Sequence, residues 1–243
     1  MYFALLLAIL LAPTHAWAAF PIVQATNSTG DATNVTSHTV GLPASISSGD
    51  LLMAFISCRN STSTIVFPGG WTQVGSDFNS GGVASGQTIN AIYYRVANGG
   101  EGASITVTTS VSNACASVTK RITGQHASTA PEAGTAASGA SVNPDPPNLA
   151  PSWGAEDTLW IAFEGNTAAR TTSVYPYADN NLTVPTSSGA NATIAYCEQS
   201  VNASSSDPGT FTISVSENWG AQTVAIRPAA VASDFGGEAI WFP

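Results

Sequence analysis

Apolar residues in this chain come in short runs separated by turn residues. Residues 51–58 (LLMAFISC) and 158–163 (TLWIAF) are nearly unbroken. Residues 88–97 (TINAIYYRVA), 103–111 (ASITVTTSV) and 210–215 (TFTISV) alternate with Thr, Ser or Asn, and 116–122, 192–201 and 222–227 are similar. Alternation with a period of two, rich in β-branched and aromatic residues, predicts strands. Ser48-Gly49-Asp50, Pro68-Gly69-Gly70, Asn98-Gly99-Gly100 and Asp207-Pro208-Gly209 punctuate them as turns. No stretch carries the 3.6-residue period of a substantial amphipathic helix.

The strands repeat. Gly49-Asp50-Leu51-Leu52-Met53-Ala54-Phe55 is echoed by Glu156-Asp157-Thr158-Leu159-Trp160-Ile161-Ala162-Phe163, and Ile92-Tyr93-Tyr94 by Ile194-Ala195-Tyr196. Ile105-Thr106-Val107 is echoed by Phe211-Thr212-Ile213, Asn113 and Ala116 by Asn218 and Ala221, and Arg121 by Arg227. The order is kept and the separation stays between 102 and 108 residues, which points to an internal duplication. Two copies are too few for a solenoid. Residues 141–151 between them hold four prolines and read as an extended connection. The expectation is an all-β, jelly-roll-like antiparallel β-sandwich, a single domain over residues 19–228. Its halves would be 20–126 and 152–228, joined by 141–151. Two tandem domains are the alternative.

The ends differ from the middle. Residues 3–11 (FALLLAILL) are an apolar run too short to span a bilayer, and Pro13 and the small-x-small Ala16-Trp17-Ala18 follow. This predicts a signal peptide over residues 1–18 and a secreted, extracellular protein, although no Lys or Arg precedes the apolar run. Residues 229–243 form a C-terminal tail whose Ala239, Ile240, Trp241 and Phe242 follow Gly236-Gly237. They are a candidate strand for a neighbouring subunit, as is the segment from Phe20 to Gln24. The other reading is a last strand packed on its own domain.

Charge narrows the partners. Only 9% of residues are charged, with six basic and fifteen acidic, for a net charge of −9. Without clustered Lys and Arg, nucleic acid and anionic membrane surfaces are excluded as partners. The 44% apolar content excludes disorder.

Candidate chemistry is sparse. In an exported protein Cys58 and Cys115, both on strand-like segments of the first half, are the favoured disulfide pair, leaving Cys197. Glu164, Glu198 and Glu217 lie near strand ends of the second half and are the candidate carboxylates for glycan hydrolysis. Asp50 and Asp157 read as turn formers. His15 belongs to the signal, and His38 and His126 stand alone, so no metal or catalytic constellation is visible. Asp179-Asn180-Asn181 offers oxygen ligands for calcium but reads first as a turn. No cofactor is expected. Trp71 and Trp219, read as loop residues, are candidate sugar-stacking platforms, the alternative being caps on the ends of the sandwich. Asn27, Asn34, Asn60, Asn181, Asn191 and Asn202 open Asn-x-Ser/Thr sequons, which are glycosylation sites in a eukaryotic secretory pathway.

A Gly-Asp-Leu-Leu strand at residues 49–52, Pro-Gly-Gly-Trp at 68–71, Tyr-Tyr-Arg-Val-Ala at 93–97 and a Thr-rich strand resemble β-sandwich modules of phage and prophage structural proteins. The matching stretch is 49–124, with an echo over 156–227. The resemblance implies a decoration, fibre or surface module, and the signal peptide points to a secreted filament, surface-layer or adhesin relative. It carries no functional residues over. The expected function is a non-enzymatic structural subunit that self-associates into a homo-oligomer or filament through its terminal strands. The alternatives are a carbohydrate-binding or adhesive module and a glycan-active hydrolase.

Overall fold

The computed structural model describes residues 18–60, 62–81, 86–186 and 192–231. These residues form an antiparallel β-sandwich. The predicted signal over 1–18 lies outside them except for Ala18, and the tail is described only to Val231. No helix among the described residues is long and apolar enough to cross a membrane.

The first half contributes β1 (Ile22–Gly41), β2 (Leu51–Arg59), β3 (Ile65–Val66), β4 (Thr72–Gln73), β5 (Phe78–Asn79), β6 (Thr88–Val96) and β7 (Ser104–Thr123). The second sheet begins ahead of the expected half at 152–228, with β8 (Glu132–Ala133) and β9 (Ala137–Ser141), and the remaining elements are β10 (Glu156–Asn166), β11 (Thr172–Val174), β12 (Asp179–Pro185), β13 (Thr193–Ala203), β14 (Thr212–Ile213) and β15 (Glu217–Ile226).

Each half makes one sheet, so the chain completes the first before entering the second. Sheet one runs β1-β7-β2-β6-β4, and sheet two runs β12-β13-β10-β15-β8, with β9 also on β15. Read from the other edge, sheet two repeats sheet one: a central strand (β2 or β10) lies between its two long successors, and the strand preceding it in sequence pairs at the far side. The duplication is therefore one of topology as well as sequence.

Register locates the equivalent residues. Phe55 pairs with Ile92 and Val118, and Phe163 pairs with Tyr196 and Gln222. The sequence echo had matched Ile92 with Ile194, two residues away from the position that register assigns.

The inner faces meet in one core. Leu51, Met53, Phe55, Ile92, Val118 and Ile122 of sheet one pack on Leu159, Ile161, Phe163, Ile194, Tyr196, Val224 and Ile226 of sheet two. The rings of Phe55, Phe163 and Tyr196 meet at 5.2 to 5.5 Å between centroids, within the range of favourable aromatic pairs.

The outer faces are covered too, which is why β2 and β10 lack the polar alternation of a half-exposed strand. Leu52, Ala54, Ile56 and Cys58 face a second cluster with Val40, Leu42, Ile65, Phe67 and Trp71. Trp160, Ala162 and Ala195 face a third with Leu149, Tyr177 and Phe211. The Pro-rich connection helps to build that cover. Leu149 and Ser206 exchange backbone hydrogen bonds, Phe211 N donates to Pro144 O, and Ile213 N donates to Val142 O. Residues 141–151 are thus strapped to sheet two rather than being a free linker.

Candidate functional site

The three candidate glutamates do not converge. In β10 Phe163 and Gly165 point to the inner face, so Glu164 lies on the outer face of sheet two. Asn166 Nδ2 donates to both its oxygens at 3.0 and 3.2 Å. Complete burial pushes the Glu164 carboxyl up to about 8, against the Asn166 hydrogen bonds. Glu217, at the start of β15, is held by Arg170, whose Nε donates to Oε1 at 2.8 Å, and by Thr167 Oγ1 at 3.0 Å. Glu198 follows Tyr196 by two on β13 and shares its inner-face side. Glu198 is on the inner face, while Glu164 and Glu217 share the outer face but are tied to different partners, so these three make no acid–base pair over a common cleft.

Glu198 is the most informative of the three. It is 3% exposed. Tyr196 Oη donates to its Oε2, and Asn180 Nδ2 donates to its Oε1. Across the sandwich Lys120 of β7 is 1% exposed, with Nζ 4.0 Å from the centroid of the Tyr196 ring. Among the described residues no carboxylate lies within ion-pair distance of Nζ. Burial lowers the Lys120 amine to about 8, with the Glu198 charge opposing the shift. A cleft of about 300 Å³ opens over Glu198, lined by Pro21, Ile22, Val23, Asp179, Asn180 and Ser200 among others.

The internal repeat makes this cluster conspicuous. Lys120 pairs with Met53 and Glu198 with Ile161. At the repeat-equivalent positions Val224 pairs with Ile161 and Tyr94 with Met53. One side of the sandwich therefore holds Lys and Glu where the other holds Val and Tyr.

Each half also ties an acid at the start of its central strand to an arginine. Asp50, opening β2, lies 3.3 Å from Arg121 Nη1 and accepts the Ser47 N–H at 2.8 Å. Glu156, opening β10, is gripped by Arg227 through Nε at 2.8 Å and Nη2 at 2.6 Å. The Arg227 hydrogen bonds hold the Glu156 carboxyl below its ordinary value. Asp50 is thus a turn former that also fixes a strand end. Asp157 accepts a hydrogen bond from Asn202 Nδ2 at 2.8 Å.

Trp71 and Trp219 depart from the sugar-platform expectation. They are 9% and 7% exposed. Trp71 packs on Phe67 in the outer cluster of sheet one. Trp219 lies inside β15 rather than in a loop, with Nε1 donating to Ser141 Oγ at 3.0 Å and Gly139 against its ring. Neither presents a free face for stacking.

His126 Nδ1 accepts the Thr129 N–H at 3.1 Å and so braces a turn. Asp179 and Asn180 sit at the mouth of the Glu198 cleft, and among the described residues no group of three or more His, Cys, Asp or Glu is arranged to hold a metal ion. Of the sequon asparagines, Asn34, Asn181 and Asn202 are exposed, whereas Asn60 is half-buried with its Oδ1 accepting the Thr62 N–H. Asn27 is committed inward: its Nδ2 donates to Leu42 O at 3.0 Å, and Gly41 leaves no room for a Cβ beside it. Asn191 and the candidate assembly strand Ala239, Ile240, Trp241 and Phe242 lie outside the described residues.

Cys58 and Cys115 stand directly opposite on β2 and β7 and are joined by a disulfide. Cys197 is buried, accepts the Tyr177 N–H at 3.4 Å, and has its thiol pushed up to about 12 by burial. No family model matches the chain, and comparison with curated proteins and with solved structures returns no match, so the reading of function rests on the residues themselves.

Proposed function

We propose that this chain is an exported structural module that self-associates through its terminal segments. The observation that carries the reading is where those segments leave the sandwich. Ala18 and residues 229–231 line one groove of about 360 Å³, together with Glu156, Asp157, Asn202 and Arg227. Ala18, the last residue of the predicted signal, and Ala229 to Val231, which lead toward the tail, thus lie at one end. A tail reaching from that end into the corresponding groove of a second copy, and the reverse, makes a closed two-fold pair, the commonest symmetry of soluble oligomers. The rest of the molecule suits a load-bearing part: both faces of both sheets are covered, a disulfide ties two central strands, and the strand-end ion pairs occur in each half.

The test is the mass in solution of protein beginning at Ala19, measured by light scattering and viewed by electron microscopy. The reading expects a dimer or larger uniform assembly that falls to monomer when residues 236–243 are deleted. A full-length monomer at high concentration overturns it. Filaments in place of closed pairs would keep self-association and replace the two-fold with a head-to-tail contact.

A further inference from the structure

The surroundings of the disulfide are unequal at its two ends. Cys115 Sγ lies 3.4 Å from His38 Nε2. The same Nε2 lies 3.2 Å from Thr109 Oγ1, whose own hydroxyl donates to Val111 O at 2.9 Å. The Thr109 oxygen is therefore an acceptor toward the ring, which puts the imidazole proton on Nε2 and directs it between Thr109 and the Cys115 sulfur. On the other side of the ring, Asp31 Oδ2 stands 3.4 Å from Nδ1. Burial lowers the His38 imidazole from its ordinary value, and the Asp31 carboxylate and the Val35 backbone on the Nδ1 side oppose that shift. Cys58 sits in the apolar cluster with Ile65 and Ile89, and among the described residues no donor is bonded to its sulfur.

We infer that this disulfide is exchangeable with a fixed polarity: a small thiol attacks Cys58, and Cys115 leaves as the thiolate held by His38. The thiolate of the incoming molecule bonds to Cys58 Sγ, the Cys58–Cys115 bond breaks, and its electron pair goes to Cys115 Sγ. That sulfur takes the Nε2–H hydrogen bond. The products are a mixed disulfide on Cys58 and one thiolate, and the incoming thiol's proton goes to solvent. A leaving sulfur beside an imidazole departs faster than one in apolar surroundings, because its thiolate is stabilised as it forms.

Both sulfurs are covered in the closed structure, so exchange needs a local opening. The fold places weak points at both ends. Asp31 of β1 pairs with Cys115 where the β1–β7 ladder slips register, between Asp31 and Val35 and again between Val35 and Ser37. Cys58 is the penultimate residue of β2, one before Arg59, and Asn60 follows with φ of 90°. Opening the bulge and fraying the end of β2 would admit a small molecule without unfolding either sheet.

The experiment exposes folded, oxidised protein briefly to excess reduced glutathione, traps thiols directly with excess N-ethylmaleimide at mildly acidic pH and maps the peptides by mass. The expected result is glutathione on Cys58, alkylation on Cys115 and no glutathione on Cys197. Glutathione mainly on Cys115, an even split, or no exchange short of unfolding overturns the inference. His38→Leu should slow exchange roughly tenfold, and His38→Gln, which returns an N–H donor, should recover part of the rate. A His38→Leu protein that folds and exchanges at the wild-type rate also overturns it. If His38→Leu does not fold, the site of the adduct in the wild-type protein still decides.

Discussion

Lys120 Nζ stands 4.0 Å from the centroid of the Tyr196 ring, an ammonium on one sheet facing an aromatic ring on the other. The contact returns part of the cost of burying a charge, but burial still dominates, since the amine is lowered to about 8. Replacing a buried ionic group by an apolar one of similar volume is often neutral or stabilising. Lys120→Met should raise stability at pH 7 by about 1–2 kcal/mol, measured by urea denaturation. The pH dependence has a definite sign. Between about 8 and the ordinary 10.5 the unfolded chain keeps a proton that the folded one has lost, so wild-type stability should rise across that window. In Lys120→Met this rise should vanish.

Glu164 gives the opposite slope. Its folded carboxyl titrates near 8 and its ordinary value is 4.5, so the folded chain keeps a proton that the unfolded chain releases. Stability from this group is fully present below about 4.5 and is lost as pH climbs toward 8. Glu164→Gln should flatten that part of the curve, as read from midpoints of thermal unfolding between pH 4 and 9. An unchanged slope would mean that another group carries it.

Gly165 marks a close approach of the two sheets. A Cβ built there meets Asn90 Oδ1 and lies 2.6 Å from Ser57 Oγ, while one on Gly220 meets Asn90 Nδ2 at 2.9 Å. Asn90 thus reaches from sheet one between two glycines of sheet two. Gly165→Ala should cost about 1–3 kcal/mol, the ordinary range for overpacking, whereas Gly154→Ser, open on every side but at φ of 74°, tests backbone strain alone. Chemical denaturation of the two variants separates the effects.

The disulfide closes a loop of 57 residues. On the chain-entropy account such a loop contributes about 4 kcal/mol by restricting the unfolded state. Cys58→Ser with Cys115→Ser should lower stability by up to that amount, read from the denaturation midpoint with the slope checked for constancy.

Much of the architecture was legible because the two central strands are buried on both faces. Runs such as LLMAFISC and TLWIAF are short, apolar and set among turn residues, which suits interior strands, and their repetition exposes the duplication. Of the twenty-residue β1 only the first few residues are legible in the sequence, as a candidate strand for a neighbouring subunit, whereas Ile22 and Val23 pair with Thr123 and Ile122 of β7 in the same chain. It is an edge strand whose solvent side holds Gln24, Thr26 and Ser28, so its alternation is of polar against small residues, and its structure comes from pairing with β7. Glu217-Asn218-Trp219-Gly220 holds turn-prone residues and reads as a loop, yet ladders to β9 and β10 on either side override that preference. The Lys120 cluster had no local signature. Its members lie far apart in sequence and meet only because β7 faces β13 across the core, a fact that no spacing rule encodes.

Since each half supplies one whole sheet, each carries an inner apolar face that only the other can cover. A half-length ancestor with this pattern would have been insoluble alone and stable only as two identical copies packed face to face. The present chain has the arrangement of such a pair joined in one polypeptide. Lys120 and Glu198, set against Val224 and Tyr94, are where the two halves differ inside the shared core.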